Sequence, residues 1–469
     1  MPWEVIPIFE NEIDKVEEIK NFEFFNTPVA FAFKFTNSEL RERAIKYLEQ
    51  LVSSPETLLF LNKLARLEIV VNKDVKRITR QVKDYTSHQV ITLQLDEQKP
   101  QKWFVCKERK VITDQGILNE LRDENNPSVP LKFRNFNSPE VQVAFPEELR
   151  ANLLNMYAYL PLSETKAGLP FIINGDFIPN LDRTDVIRNL EYNNYLANFA
   201  ADALVRLFNV VSFELGIDRA LTILEQINDS NNVFFQHLNQ SFIEKKGNLT
   251  IKTLSQEEIP LNNFVIDKSG LFKIFDNEVI RFHNDFSESY VLENLNEKTA
   301  EQLEKHFQLR VFDIYEGQKL ISSSAFIDKH CKNFKDLLIL IFGLSRLPNA
   351  NGWKAKFANI KILNINNILF SLGELQRDVP EKFSEVLNIA LNINALTQEH
   401  NDLLNNYPRI TELVGSFGLN EFDLSVSLRD LITKRNQFNA MELEHLNMLW
   451  CFLYSNKDVT NNDGSKLVN

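Results

Sequence analysis

The spacing of apolar residues changes period near residue 193, and no other property of the chain constrains its fold as strongly. Before that point the pattern has period two. Phe31, Phe33 and Phe35 fall on one face of an expected strand, Val90–Leu95 and Trp103–Cys106 belong to an expected antiparallel meander over 75–112, and Val141, Val143 and Phe145 alternate again. After it, Leu196, Phe199, Ala200, Ala203, Leu204, Leu207 and Phe208 keep i, i+3, i+4, i+7 spacing over three turns, the apolar stripe of a helix. The fold class this predicts is α+β: a first part with mostly antiparallel strands, followed by largely helical regions.

Local signals refine that division. Ser38 is placed to cap a helix running to about residue 52, and Pro55 restarts a helical turn because proline at the first helical position forfeits no hydrogen bond. Leu67–Val71 reads as a strand, and so does Trp3–Phe9, which starts in mid-pattern as the tail of a longer domain would. Further helices are expected at 218–228, 233–245, 332–344 and through 380–455. Shorter strands are expected between 261 and 284, at Leu309–Ile314 and around 357–372. A chain of 469 residues exceeds what one hydrophobic core supports. The pattern divides it into 1–70, 71–190, a helical region 191–250, a mixed α/β region 251–375, a helical region 376–455 and a polar, disordered tail 456–469 containing Asp463-Gly464.

Composition narrows the classes of function. The net charge of −12 disfavours a dedicated nucleic-acid binder, because neutralising phosphates takes clustered lysine and arginine. The one basic stretch, Lys73 to Lys83, reads as the solvated face of a strand or loop. The longest apolar run, Leu337–Leu344, is far shorter than a bilayer span, and Glu4, Glu10 and Glu12 occupy the place of a signal-peptide core. Three cysteines (Cys106, Cys331, Cys451), odd in number and far apart, fit a reducing cytoplasm better than a disulfide framework. Protein clients or partner subunits, including further copies of the chain, are the expected partners.

Motifs for catalysis within the chain are sparse. The seven histidines show no metal-ligand spacing, and adjacent His330 and Cys331 read as packing or surface residues. Glu442, Glu444 and His445 lie among Met441, Leu443, Leu446 and Leu449, so helix packing accounts for them. There is no Walker A sequence.

Four patterns occur in order: Phe31-Ala-Phe-Lys-Phe35; Glu56-Thr-Leu-Leu-Phe-Leu-Asn-Lys-Leu64 closing on Leu67-Glu-Ile69; Trp103-Phe-Val-Cys-Lys107; and Tyr159-Leu-Pro-Leu162 with Gly168-Leu-Pro-Phe-Ile-Ile-Asn-Gly-Asp-Phe177, ending in Asn180-Leu-Asp-Arg183 and followed by Tyr192-Asn-Asn-Tyr-Leu-Ala. Together, over roughly residues 1 to 210, they resemble the large repeats of sacsin and similar bacterial ATP-binding proteins, relatives of Hsp90 in the GHKL ATPase superfamily. The resemblance implies that 1–70 is the end of an ATPase-type α/β sandwich and 71–190 an α/β domain like the Hsp90 middle domain. It also implies that Arg183, on Asn180-Leu-Asp-Arg-Thr-Asp185, reaches the γ-phosphate of ATP bound by another domain.

The motifs that bind ATP and magnesium in that superfamily, a Glu-x-x-x-Asn-x-x-Asp helix and an Asp-x-Gly-x-Gly turn, are not in the sequence. ATP and Mg are therefore expected only with a domain preceding residue 1. On this reading Asn174, Asp176, Asn180 and Asp182 support the arginine loop by short side-chain to backbone bonds. The plainer reading pairs Arg183 with Asp182 or Asp185 on a surface loop. The function expected is part of an ATPase with a chaperone-like or sensing role. An ATP-independent scaffold or a component of a bacterial defence system stands as the alternative.

Overall fold

The computed structural model describes residues 37–71, 74–150, 153–162, 164–165, 168–225, 232–252, 257–292, 295–365, 368–460 and 465–467. The strands expected at Trp3–Phe9 and Val29–Phe35 lie outside them. The chain forms two compact units, residues 1–80 with 93–100, and residues 81–92 with 101–469.

In the first unit, α1 (Ser38–Ser53) is followed by a buried 3-10 turn, Pro55–Phe60. Strand β1 (Arg66–Val71) then pairs antiparallel with the start of β2 (Asp74–Asp84). Glu68 sits opposite Arg77 and accepts from its Nε at 2.7 Å, while Arg80 donates to the Leu59 carbonyl at 3.2 Å. The basic residues of β2 are thus spread over both of its faces, and Ile78 is its buried residue.

The second unit begins with the far end of β2 and the start of β3 (Gln89–Leu95). Strand β4 (Gln101–Arg109) follows, then α2 (Gln115–Arg122), β5 (Glu140–Pro146), β6 (Met156–Ala158), β7 (Leu160–Pro161) and β8 (Ile172–Gly175). Within this unit β4 pairs antiparallel with β5, and β5 with β8. Strand β8 runs parallel to β6, which pairs with β7. The sheet is therefore antiparallel apart from one parallel neighbour.

Against its β4–β5 surface lies α3 (Glu191–Glu214), which also packs on α2, α4 (Ile217–Glu225), α5 (Val233–Glu244) and β9 (Thr250–Lys252). Contacts on several sides explain why α3 buries Ala201, Val205, Val210 and Ser212 as well as the stripe seen in the sequence. By length and composition α3 could cross a bilayer, but 72% of its most apolar window is buried inside the protein, as befits a core helix. Its polar residues Asn193, Asn194, Asp202 and Arg206 interrupt the run, which is why a search for uninterrupted apolar residues passes over it.

Two more cores follow. One surrounds a parallel sheet of β11 (Phe264–Asp267) between β12 (Tyr290–Leu292) and β13 (Arg310–Phe312), β10 (Glu258–Pro260) having paired back on β9. That core is completed by α7 (Ile314–Ile321), α8 (Ser324–His330), α9 (Phe334–Ser345) and α10 (Ala350–Phe357), while α6 (Glu297–Lys305) packs on α4. The hairpin β14 (Leu363–Ile365) and β15 (Ile368–Phe370) leads to β16 (Leu375–Arg377), flanked in parallel by β17 (Asn394–Ala395) and β18 (Asn420–Glu421). The last core joins α11 (Ser384–Leu391), α14 (Leu424–Thr433) and α15 (Leu443–Ser455), with α12 (Gln398–Asn405) and α13 (Pro408–Ser416) lying between α11 and α14 in sequence. In the stretch expected as a tail, Thr460 and Lys466 form a bridge and the Leu467 amide donates to the Val459 carbonyl at 2.9 Å. The fold is mixed α/β, with an antiparallel-rich sheet and dominant helices.

Candidate functional site

The arginine loop leaves the sheet at the end of β8 and returns at the start of α3. Its departure needs glycine: a Cβ on Gly175 would stand 2.9 Å from the Phe177 ring and 3.2 Å from Val141. Asp176 then fixes the direction of the chain. One carboxylate oxygen accepts from the Glu140 amide at 2.8 Å and the other from the Tyr159 hydroxyl at 2.5 Å. Tyr159 has a left-handed backbone, φ 65°, and its amide donates to Asn174 Oδ1 at 2.9 Å. Burial, and then the Asp176 carboxylate, push the Tyr159 phenol well above its ordinary range, so it remains a donor.

The helix grips the other end of the loop. Asn193, 1% exposed on α3, accepts from the Ile178 amide at 2.9 Å and donates to the carbonyls of Ile178 at 2.9 Å and Ile187 at 3.0 Å. Tyr192 donates its hydroxyl to the Asp176 carbonyl at 2.9 Å. Both carboxylate oxygens of Glu120, on α2, accept from the free amides of Glu191 and Tyr192 at the start of α3.

Inside the loop, Asn180 Oδ1 accepts from the amides of Thr184 at 3.0 Å and Asp185 at 3.1 Å, and Asp182 accepts from the Thr184 amide at 3.1 Å and hydroxyl at 2.9 Å. Asp185 is buried and engages Arg188 at 2.7 Å. Arg183 is exposed, with φ 57°, and donates one bond, from a terminal nitrogen to the Ala158 carbonyl at 2.8 Å. Among the described residues it pairs with neither Asp182 nor Asp185, its guanidinium reaching back to β6 instead. Left-handed backbone costs a non-glycine residue roughly 1 kcal/mol, and it persists where neighbours over-determine the turn.

The loop therefore brings together Asn174, Asp176, Asn180, Asp182 and Arg183, and adds Tyr159, Tyr192, Asn193 and Glu120, which sequence reasoning does not single out. Tyr-Asn following an Asn-Leu-Asp-Arg turn is a local hint for Tyr192 and Asn193. Nothing local announces Glu120, seventy residues upstream.

A second polar group, His283, Asp285 and Glu316, is the only one among the described residues with three donor atoms close enough to hold a metal. His283 Nδ1 accepts from the Asp285 amide at 3.1 Å, and its Nε2 lies 3.0 Å from Glu316 Oε2 without the geometry of a hydrogen bond. Lys319 also lies 3.1 Å from the Glu316 carboxylate. A cation bound there would face the Lys319 ammonium, and the Glu316–Lys319 contact is the ion pair of this group.

His330 and Cys331 are packing residues. The ring of His330 lies against Phe275 and Phe326, and burial lifts the Cys331 thiol to about 12. Comparison with protein-family models, with curated proteins and with solved structures finds no match.

Proposed function

We propose that the chain is the arginine-bearing part of a sacsin-like, Hsp90-related ATPase, in which Arg183 reaches ATP held by a domain outside these residues. One observation carries this reading. Arg183 is an exposed cation on a loop pinned at both ends, with a single hydrogen bond and no carboxylate partner among the described residues. A guanidinium without a counter-ion keeps four donors for an incoming anion. Its planar fork suits two phosphoryl oxygens at once.

The division of labour in the loop supports the same reading. Asn174, Asp176, Asn180 and Asp182 spend their acceptors on backbone amides and on the hydroxyls of Tyr159 and Thr184, holding the turn, while Arg183 projects from it. When bound, ATP with Mg would supply the transferable phosphoryl group and its charge. Arg183 would neutralise charge developing there, and swinging off the Ala158 carbonyl would let it do so only when the two domains close. Arginines used this way contribute on the order of 10³- to 10⁵-fold in rate. Domain closure coupled to hydrolysis would suit chaperone-like or sensing work on protein partners.

Isothermal titration of this chain with MgATP should give no tight binding, and tight binding would overturn the proposal. In a protein that joins the chain to its ATP-binding domain, Arg183→Ala should abolish turnover and leave ATP affinity intact. Unchanged turnover would leave the loop a structural feature and favour the ATP-independent scaffold.

A further inference from the structure

We infer that the second unit carries a binding cleft for a small planar anion, an aromatic ring system bearing one carboxylate or sulfonate. The cleft opens where α3 ends. Gly216, with φ 90°, turns the chain from α3 into α4, and no atom stands within 4 Å of where its Cβ would be. Segment 277–281, β9 and β12 form the facing walls, enclosing about 740 Å³. Ligand pockets for small molecules span roughly 300–1,000 Å³.

Three features of the lining set the ligand's chemistry. The floor is apolar, built from Ile217, Ile251, Phe264, Ile280 and Val291. Two cations stand over aromatic rings of the wall: Lys252 Nζ lies 3.3 Å from the Phe213 ring centre, and the Arg281 guanidinium 5.6 Å from that of Tyr290. Among the described residues neither is within 4 Å of a carboxylate, Arg281 donating instead to the Ser287 carbonyl at 2.6 Å. The third feature is Ser212, 4% exposed, whose hydroxyl has no hydrogen-bond partner among the described residues. A helical serine ordinarily returns its hydroxyl to the carbonyl one turn back, and this one does not.

Two unpaired cations and an unused donor favour an anion, and the single acidic residue of the lining, Glu278, is exposed and offsets only part of that charge. The apolar floor between ring-backed walls favours a flat hydrocarbon body. With only two cations, one buried hydroxyl left without a partner among the described residues, and no glycine-rich run of amides, the cleft suits one anionic group and not a polyphosphate.

The test uses the full chain and two dyes, anilinonaphthalene sulfonate and phenylnaphthylamine, which share a ring system and differ by the sulfonate. The sulfonate dye should bind saturably at one site per chain. Lys252→Met with Arg281→Met should weaken it about tenfold or more and move the neutral dye by less than about twofold. Ser212→Ala should weaken the sulfonate dye several-fold at an unchanged or higher melting temperature. Ile217→Trp, which fills the floor, should expel both dyes. Sulfonate binding that is unsaturable, indifferent to the double substitution, or retained in Ile217→Trp would overturn the inference.

Discussion

Two regions that share α3 treat their polar groups in opposite ways. At its N-terminal end, Asn193, Tyr192, Asp176 and Asn180 all have partners at 2.9 to 3.1 Å or closer, and the arginine they support is left exposed with one bond. At its C-terminal end Ser212 is just as buried and, among the described residues, has no partner, and Lys252 and Arg281 rest on rings without a counter-ion there. The difference is between a scaffold completed by its own residues and a cleft that is polar but incomplete. A completed network fixes geometry. An incomplete one lowers its free energy when a ligand supplies the missing partner.

The largest effect expected from breaking this comparison is at Arg183. In the protein that holds ATP, Arg183→Ala should lower kcat by on the order of 10³-fold with the ATP dissociation constant unchanged. Arg183→Lys should recover little, because an ammonium cannot present two parallel donors. A steady-state assay decides it, and full recovery by lysine would show that charge alone suffices.

Stability comes next. Asn193→Leu keeps the volume near that of asparagine but strands the Ile178 amide away from water, while the Ile178 and Ile187 carbonyls keep the amides of Ile187 at 3.1 Å and Leu190 at 3.4 Å. At ~1–3 kcal/mol for a buried group left unpaired, the loss should be about 1–3 kcal/mol, read from the urea midpoint. A shift below about 1 kcal/mol would mean that the loop is not held by α3.

How much of this was legible in the sequence follows from the range of the interactions. Strand β5, its neighbour β4 and helix α3 declare themselves through period two and period 3.6, because both patterns are set within a few residues. The polar turn at Asn180 to Asp185 is legible for the same reason, since its bonds span two to five residues. What sequence cannot supply is partnership at a distance. Glu120 reaches Tyr192 across 72 positions, and Arg183 finds the Ala158 carbonyl across 25 instead of an adjacent aspartate. Nor does sequence reveal the cleft, whose walls come from three separate stretches and whose signal is a partner that is absent. The breadth of α3's burial was likewise hidden, because it depends on how many elements surround the helix.

Ser212→Ala sharpens the contrast by reversing its sign. The substitution is again a polar truncation on α3, but here it removes a hydroxyl that bonds to none of the described residues. Without ligand it should leave stability unchanged or raise it by up to about 1 kcal/mol. A loss of about 2 kcal/mol would mean that the hydroxyl has a partner in solution, and the contrast between the two ends of α3 would fall.

The smallest effect tests whether an orphaned polar atom needs a ligand at all. His400 Nδ1 and His88 Nε2 are also buried without hydrogen bonds, but each ring is packed on another, His400 against Phe334 at 4.4 Å and His88 against Tyr85 at 4.7 Å. Stacking holds both imidazoles, and the Ser87 hydroxyl also lies 3.1 Å from His88 Nδ1. Burial lowers both pKa values below 6.5, while a nearby glutamate, Glu399 for His400 and Glu214 for His88, opposes the shift. The sign then follows. Well above pH 7 both folded and unfolded rings are neutral, so the shift contributes nothing to the pH dependence there. As pH falls through about 6.5 the unfolded rings take up protons first, and folding stability declines until the folded rings protonate as well. Denaturant midpoints measured between pH 7 and pH 5 should fall modestly, and His400→Phe, which keeps the stacked plate and removes the titration, should flatten part of that slope. A midpoint that rises on acidification, or a slope unchanged by the substitution, would show that these rings are charged in the folded protein and have partners of their own.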